Sequence, residues 1–155
     1  MTRLQSEIKQ SKPFRSLEEE VYLNLIRTTD ALFRRHEALL KTVDLSPAQY
    51  NVLRILRGSE PHGLACKEIA DRMLSRDPDI TRLLDRLERR KLAVRSRQRE
   101  DRRVIITRIS AAGLELLVQL DKPASELSKA CLRHLGKAQL QELIRLLEVA
   151  RESTG

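Results

Sequence analysis

The sequence predicts a mostly α-helical domain that carries one small β-hairpin, an α+β arrangement. Its 155 residues, 41% apolar and 34% charged, fit a single globular domain. Apolar residues recur at three- and four-residue spacing over most of the chain, which is typical of amphipathic helices. After Lys91 the spacing changes to two residues and keeps that period as far as Ile109, which predicts two strands.

The N-terminal part predicts a polar arm followed by two helices. Residues 1–16 are charged and lack the apolar core of a secretory signal, so they are interpreted as a polar arm. Apolar residues from Leu17 to Leu40 predict a first long helix. Ser46 and Pro47 supply an N-cap and a first-turn proline for a second helix, which the stretch GSEPHG closes.

Two shorter helices are predicted next. One runs from about residue 67 to residue 74, and Asp77 and Pro78 supply the N-cap and first position of the other. The second of these helices is amphipathic. Its buried face consists of Ile80, Leu83, Leu84 and Leu87, and its other faces carry Thr81, Arg82, Asp85, Arg86, Arg89 and Arg90.

The C-terminal half predicts a hairpin and two further helices. Residues 93–97 and 104–109 read as strands joined by the charged loop QREDR. Ser110 is a predicted N-cap for the next helix, in which Pro123 is expected to cause a break or a kink. Leu140, Leu143, Ile144 and Leu147 form the apolar stripe of the last helix.

Positive charge is concentrated in one third of the chain. Residues 76–108 hold twelve basic and six acidic residues, so they contribute +6 of the net charge of +8. Eleven of the twelve bases are arginine, whose planar guanidinium suits phosphate groups and base edges. A polyanionic partner is therefore predicted.

Several classes of protein are disfavoured. Two cysteines are too few for a disulfide framework, and no apolar run approaches the roughly 20 residues of a membrane span, so a cytoplasmic location is expected. No nucleophile with a base, paired-carboxylate cleft or phosphate-binding glycine loop indicates an enzyme, and no cofactor is expected. Cys131 and His134 have a zinc-like spacing but no second pair, and Cys66 before a helix start is a weak candidate for an oxidant sensor.

Two short helices joined by a turn and followed by a basic hairpin form a winged helix-turn-helix. In that arrangement the second helix enters the DNA major groove and the hairpin, or wing, contacts the neighbouring backbone and minor groove. Asp101 is expected to form an ion pair with Arg103 and to direct its side chain toward the groove. The alternative is an exposed ion pair of little consequence.

Residues 45–113 resemble the MarR family of bacterial transcription regulators. The resemblance lies in LSPAQYNVLRIL, ITRLLDRLERRKL, EDRRV and ISAAG, which occur in this order. Lys91 departs from the family pattern, where glycine is common. The resemblance implies a homodimer built from 17–45 and 110–155, with 46–109 binding a pseudo-palindromic operator. Repression, and release by a small molecule, are the family's usual behaviour.

The candidate site residues form three groups. In and near the recognition helix they are Arg76, Thr81, Arg82, Arg86 and Arg89. In the wing they are Arg97, Arg99, Asp101, Arg102 and Arg103. A candidate effector pocket comprises Phe33, His36 and Tyr50, for which packing in the dimer core is the alternative use.

Other interpretations of the basic surface stay open. The helix arginines are also compatible with a solvated face on which Asp85 and Glu88 form local pairs. At the level of the whole protein, the alternatives to a sequence-specific regulator are a nonspecific architectural DNA-binding protein and a winged-helix protein-interaction module.

Overall fold

The fold, described for residues 1–76 and 79–152 of a computed structural model, confirms the predicted mixture of helices and one small sheet. In chain order the elements are α1 (Arg3–Glu7), α2 (Leu17–Lys41), α3 (Pro47–Arg57), β1 (Leu64–Ala65), α4 (Cys66–Arg72), α5 (Ile80–Arg89), β2 (Ala93–Arg97), β3 (Ile105–Ile109), α6 (Ala111–Leu132) and α7 (Lys137–Glu152).

Local capping signals set the starts of two central helices, as predicted. At α3, the Ser46 hydroxyl accepts a hydrogen bond from the Gln49 N–H at 3.1 Å, and the Gln49 side chain accepts one from the Ser46 N–H at 2.9 Å. This capping box satisfies two N–H groups that have no partner inside the helix. At α6, the Ser110 hydroxyl accepts from the Gly113 N–H at 3.0 Å.

The hydrophobic core lies under the helix-turn-helix region. Its completely buried side chains are Leu40, Leu53, Leu56, Ile69, Leu87, Leu117 and Val52. They come from α2, α3, α4, α5 and α6, and each contributes about 1.5–3 kcal/mol by leaving water. The core therefore fixes α5 rigidly with respect to the surrounding helices.

The sheet has three antiparallel strands in the order β1-β3-β2. The hairpin register pairs Ala93 with Ile109 and Arg97 with Ile105, so β2 matches its predicted bounds. β3 begins one residue later than predicted, because the Val104 N–H bonds to the Asp101 carbonyl inside the loop at 3.0 Å. β1 was not predicted; its two residues pair with β3 opposite Thr107 and Ile106.

The start of α6 packs closely beneath the base of the hairpin. A Cβ added to Gly113 would lie 2.4 Å from the Leu92 carbonyl oxygen and 2.7 Å from Cγ1 of Ile109. Only glycine allows this approach without movement of the backbone. The Ser110 N–H also bonds to the Leu92 carbonyl at 3.1 Å.

Three local features differ from the predictions, wholly or in part. The polar arm contains the short helix α1, whose Leu4 is buried and whose Glu7 pairs with Arg27 of α2 at 2.8 Å. Helix α4 spans Cys66–Arg72 and does not reach residue 74. Helix α6 continues through Pro123, so the predicted break is absent, and the alternative, a kink, stays a prediction. Leu117 and Leu120 bury the face that precedes Pro123, and this burial outweighs one lost hydrogen bond.

The outermost helices leave apolar side chains in water. Helix α7 contains no buried residue, and Leu143, Ile144, Leu146 and Val149 are exposed. Val21, Tyr22 and Ile26 of α2 are exposed as well. No helix in the described ranges is both long enough and apolar enough to cross a membrane.

Candidate nucleic-acid interface

Helix α5 presents a polar, basic face that the core holds in place. Leu83, Leu84 and Leu87 are buried, while the predicted site residues Thr81, Arg82, Arg86 and Arg89 are exposed. The helix begins at Ile80 with Asp79 as N-cap, whose carboxylate accepts from the Arg82 N–H at 3.1 Å. The predicted N-cap, Asp77, and the predicted first residue, Pro78, lie outside the described residues.

The residue that departs from the family pattern, Lys91, lies just beyond the C-cap of α5, Arg90. Lys91 has a positive φ of 58°. Its N–H bonds to the Glu88 carbonyl at 2.8 Å, and the Leu92 N–H bonds to the Leu87 carbonyl at 3.0 Å. These two bonds form a Schellman motif, which usually places glycine at the left-handed position. A lysine ends the helix in the same geometry at some cost in strain.

Arg95 of β2 joins the hairpin to α5. Its guanidinium lies 2.5 Å from Asp85 Oδ1 and 2.9 Å from Glu88 Oε1, and the Arg95 N–H bonds to Glu88 Oε2 at 3.1 Å. The hydrogen bond from Arg95 lowers the pKa of the Glu88 carboxyl below its ordinary value. The two carboxylates therefore bind the hairpin. The local pairs with the arginines of α5, which were the alternative interpretation of this face, are not formed within the described residues.

The loop of the hairpin is organised by main-chain hydrogen bonds. Asp101 Oδ1 accepts from the Arg103 N–H at 3.0 Å, so the predicted ion pair with the Arg103 side chain is wrong. In a tight turn, the short side chain of an aspartate readily accepts a hydrogen bond from the main-chain N–H two residues later. The end of a long arginine side chain at that later position lies further away. Arg97 Nη1 donates across the loop to the Arg102 carbonyl at 3.0 Å. Asp101 therefore shapes the loop.

The six arginines between residues 95 and 108 fall into two groups. Arg95, Arg97 and Arg108 have partners within the fold, and Arg108 pairs with Glu60 at 2.9 Å. The exposed guanidinium groups at the tip have no partner in the described ranges; they belong to Arg99, Arg102 and Arg103. The same holds for the guanidinium groups of Arg82, Arg86 and Arg89 on α5.

A cavity of about 410 Å³ contains all three predicted pocket residues, Phe33, His36 and Tyr50. The rings of His36 and Tyr50 meet edge to face at a centroid distance of 5.5 Å. The Arg54 guanidinium carbon lies 5.8 Å from the centre of the Tyr50 ring. Burial, and then the charge of Arg54, lower the pKa of His36 below its ordinary value and so favour the neutral imidazole.

The cavity reaches the segment that leads into α5. Leu74 and the predicted site residue Arg76 line it, and the Leu74 N–H bonds to the Asn51 side chain at 2.8 Å. Arg76 therefore lies before α5 and beside the cavity. Arg54 of α3 and Met73, which directly follows α4, also line the cavity and were not predicted, because their place there depends on how α3 and α4 pack.

The two cysteines lie apart from any metal-binding cluster in the described part of the chain. In residues 1–76 and 79–152, no three His, Cys, Asp or Glu side chains are placed to hold a metal ion together. Cys131 Sγ accepts a hydrogen bond from Arg35 Nη1 at 3.4 Å, and Cys66 is half-buried at the start of α4.

Comparisons with known proteins agree with this geometry. The sequence profile of the MarR family matches residues 43–104, from the end of α2 into the hairpin loop. A crystal structure of a MarR transcription factor from Planctomyces limnophilus is 44% identical, covers 88% of this chain and 99% of its own, and superposes with a TM-score of 0.68.

Two further matches are more distant. The HTH-type transcriptional repressor IacR of Pseudomonas putida is 31% identical over 113 residues, which span 73% of this chain and 66% of the repressor. A complex of S. aureus MepR with DNA is 23% identical, covers 85% of this chain and 97% of its own, and has a TM-score of 0.77. At that identity the second match shows a shared fold.

Proposed function

Because the chain belongs to the MarR family of transcription regulators, we propose that it is a repressor that binds a pseudo-palindromic operator as a homodimer. It acts by binding DNA and not by catalysis, and a small molecule releases it. One observation carries the proposal: six exposed arginines on α5 and at the hairpin tip have no carboxylate partner in the described ranges.

The positions of these arginines fit the docking of a winged helix. Helix α5 enters the major groove, where Arg82 and Arg86 reach base edges or phosphates. The tip of the hairpin then lies over the adjacent minor groove, whose negative potential attracts Arg103. The ion pairs of Arg95 with Asp85 and Glu88, called the Arg95 clamp below, support this arrangement because they fix the angle between the hairpin and α5. Among the relatives, IacR is a repressor and MepR was crystallised with DNA.

The proposed dimer follows from the outer helices. Helix α7 has 16 residues and buries none of them within its own chain. Most of the stability of a helix in a protein comes from packing of its apolar face, so α7 needs a packing partner. A second copy of the chain supplies one, since the exposed apolar residues of α7 and α2 then leave water together.

The proposed effector is a small aromatic anion that occupies the cavity beside Tyr50. The cavity volume of about 410 Å³ lies within the range of small-molecule sites. Its lining combines aromatic rings with the cation of Arg54, which suits an aromatic carboxylate. Because Leu74 and Arg76 belong to the same lining, a bound ligand displaces the segment that leads into α5.

The operator proposal is tested by fluorescence anisotropy with the promoter fragment of the protein's own gene and a scrambled fragment at several salt concentrations. We expect a preference for the promoter of about 10³-fold or more, a steep salt slope and saturation at one dimer per site. Equal binding to both fragments would indicate an architectural protein. Absence of binding would favour a protein-interaction module.

The effector proposal is tested by isothermal titration with benzoate and related aromatic acids. We expect heat of binding and release of the promoter fragment from the native chain. The variant Arg54→Gln should lose the heat and the release while it still binds DNA, because Arg54 lines the cavity and not the outer face of α5. Titrations without heat or release would contradict the proposal.

A further inference from the structure

A second, larger groove lies between the end of α2 and the C-terminal half of α5. Its volume is about 810 Å³. Five cationic side chains line it: Arg34, Lys41, Arg86, Arg89 and Arg90. Only two carboxylates, Glu37 and Asp44, share the lining, so the groove carries an excess of three positive charges.

Most of these cations are not neutralised by the fold. Lys41, Arg86 and Arg89 form no ion pair with any residue in the described ranges. Arg34 pairs with Asp30 at 2.9 Å, and both side chains are largely exposed, which weakens that pair. The charge of the groove is therefore available to an external anion.

Arg90 fixes the shape of the groove. Its guanidinium donates to the main-chain carbonyls of Val43, at 3.2 Å, and of Asp44. Carbonyl groups are uncharged, so Arg90 keeps its full positive charge while it holds the end of α2 against α5. Lys41, in the last turn of α2, is held beside α5 as a result.

The groove lies on the flank of α5 opposite the hairpin. Asp85 and Glu88 face the hairpin, where they bind Arg95. Arg86 follows Asp85 by one residue, and Arg90 follows Glu88 by two. With 3.6 residues per turn, such steps turn the side chains away from the hairpin, and both arginines line the groove. Helix α5 therefore separates two basic surfaces, the hairpin and the groove.

A helix in the major groove of DNA has a phosphate strand on each side of it. The major groove of B-DNA is about 12 Å wide, so cations on both flanks of a helix inside it come close to phosphates. We propose that the protein groove between α2 and α5 holds the DNA phosphate strand that lies on the side of α5 away from the hairpin. Lys41 and Arg86 contact the phosphates of that strand. The inference rests on the proposed function, since it requires DNA against the exposed face of α5.

The shape of the groove favours a long polyanion over a small one. Its cationic side chains are exposed, and none of its lining residues is aromatic. Nothing therefore encloses a small ligand in the way that the cavity beside Tyr50 does. Lys41, which the sequence analysis placed in a segment for dimerisation alone, acquires a role in DNA affinity.

The test compares Lys41→Gln with the full-length native chain by anisotropy titration against the promoter fragment and the scrambled fragment. We expect weaker binding to both fragments. The slope of log K against log salt should become shallower by about 1.8, because one lost phosphate contact is worth about 0.9 and each dimer loses two. Lys41→Arg should restore most of the slope, because it restores the charge.

The matched control is Lys137→Gln. Lys137 begins α7 and lies beyond the far end of α6, which starts beneath the hairpin and is about 33 Å long. This variant should keep the native slope. A native slope for Lys41→Gln, or an equal fall for Lys137→Gln, would overturn the inference.

The same titrations separate this inference from the proposed function. Native protein that does not distinguish promoter from scrambled DNA would contradict the operator proposal, while the Lys41→Gln slope would still decide the role of the groove. If the native protein prefers the promoter and the Lys41→Gln slope is unchanged, the operator proposal stands and only the proposed role of the groove is contradicted. Complete absence of DNA binding would contradict both.

Discussion

The base and the tip of the β-hairpin use the same residue type in opposite ways. At the base, Arg95 binds two carboxylates of α5. At the tip, Arg99, Arg102 and Arg103 have no side-chain partner within the described ranges. The clustering of arginine in the sequence therefore does not by itself indicate function; the presence or absence of a carboxylate on a neighbouring element does.

Solvent explains the difference. The side chain of Arg95 is only 23% exposed, so an unpaired charge there would lose part of its hydration without compensation. The arginines of the tip are exposed to water, where an unpaired guanidinium costs nothing and stays available to phosphate. We therefore expect substitutions at the base to change stability, and substitutions at the tip to change DNA affinity.

The largest effect on stability is expected at Gly113, which lies beneath the base of the β-hairpin. In Gly113→Ala the new methyl group would lie 2.4 Å from the Leu92 carbonyl, so the start of α6 must move away from the hairpin. We expect the free energy of unfolding to fall by about 3 kcal/mol in urea denaturation. Gly58→Ala is the control, because its nearest contacts would be 3.6 Å away. Equal stability of the two variants would contradict the prediction.

The next effect concerns the clamp itself. Arg95→Ala leaves Asp85 and Glu88 beside each other without a cation, and we expect a loss of about 1–2 kcal/mol in the free energy of unfolding. The matched variant Arg102→Ala at the tip should stay within about 0.5 kcal/mol of the native chain. If both variants unfold alike, the division between base and tip is wrong.

Arg103→Ala should show the opposite behaviour. The Arg103 side chain has no partner in the described ranges, so thermal unfolding should not change. Affinity for the promoter fragment should fall about a hundredfold, because the dimer loses one groove contact, worth about tenfold, from each of its two hairpins. A mobility-shift titration measures this effect. If Arg103→Ala binds the promoter fragment as tightly as the native chain does, Arg103 does not contact DNA.

A smaller and stabilising effect is expected where α5 ends. Lys91 has a φ of 58°, a conformation that glycine adopts without strain. Lys91→Gly should raise the free energy of unfolding by about 0.5–1 kcal/mol. Lys91→Ala keeps the strain and should bring no gain. Destabilisation by the glycine would indicate that the lysine side chain has a structural role.

The smallest effect is a pH dependence of the clamp. The folded-state pKa of Glu88 is lowered by its bond to Arg95, so the clamp is stabilising above the ordinary value of 4.5 and loses that contribution as the pH falls below it. The difference in melting temperature between native protein and Arg95→Ala should therefore shrink on acidification. A difference that is constant with pH would show that the charge of Glu88 does not matter.

Local signals in the sequence were sufficient for much of the fold. Ser46 with Pro47, and Ser110, identified two helix starts because an N-cap bonds to a backbone group only three residues away. The alternation after Lys91 identified the hairpin because its two strands are neighbours in the chain. The charge count indicated which surface is basic.

Features that depend on distant parts of the chain were not predictable in this way. Strand β1 is two residues long and exists because it pairs with β3, some forty residues later. Helix α1 is held by Glu7 and Arg27, which are twenty residues apart. The partners of Arg95 were not assigned either, because the pairing requires the packing of β2 against α5.

The most direct test of the account is the salt dependence of promoter binding by Arg103→Gln and Arg95→Gln, measured side by side with the native chain. We expect the slope of log K against log salt to become shallower by about 1.8 for Arg103→Gln, because each dimer loses two contacts with DNA worth about 0.9 each. We expect the native slope for Arg95→Gln, because the charge of Arg95 is already paired with Asp85 and Glu88 within the fold. A fall for Arg95→Gln together with a native slope for Arg103→Gln would contradict the account.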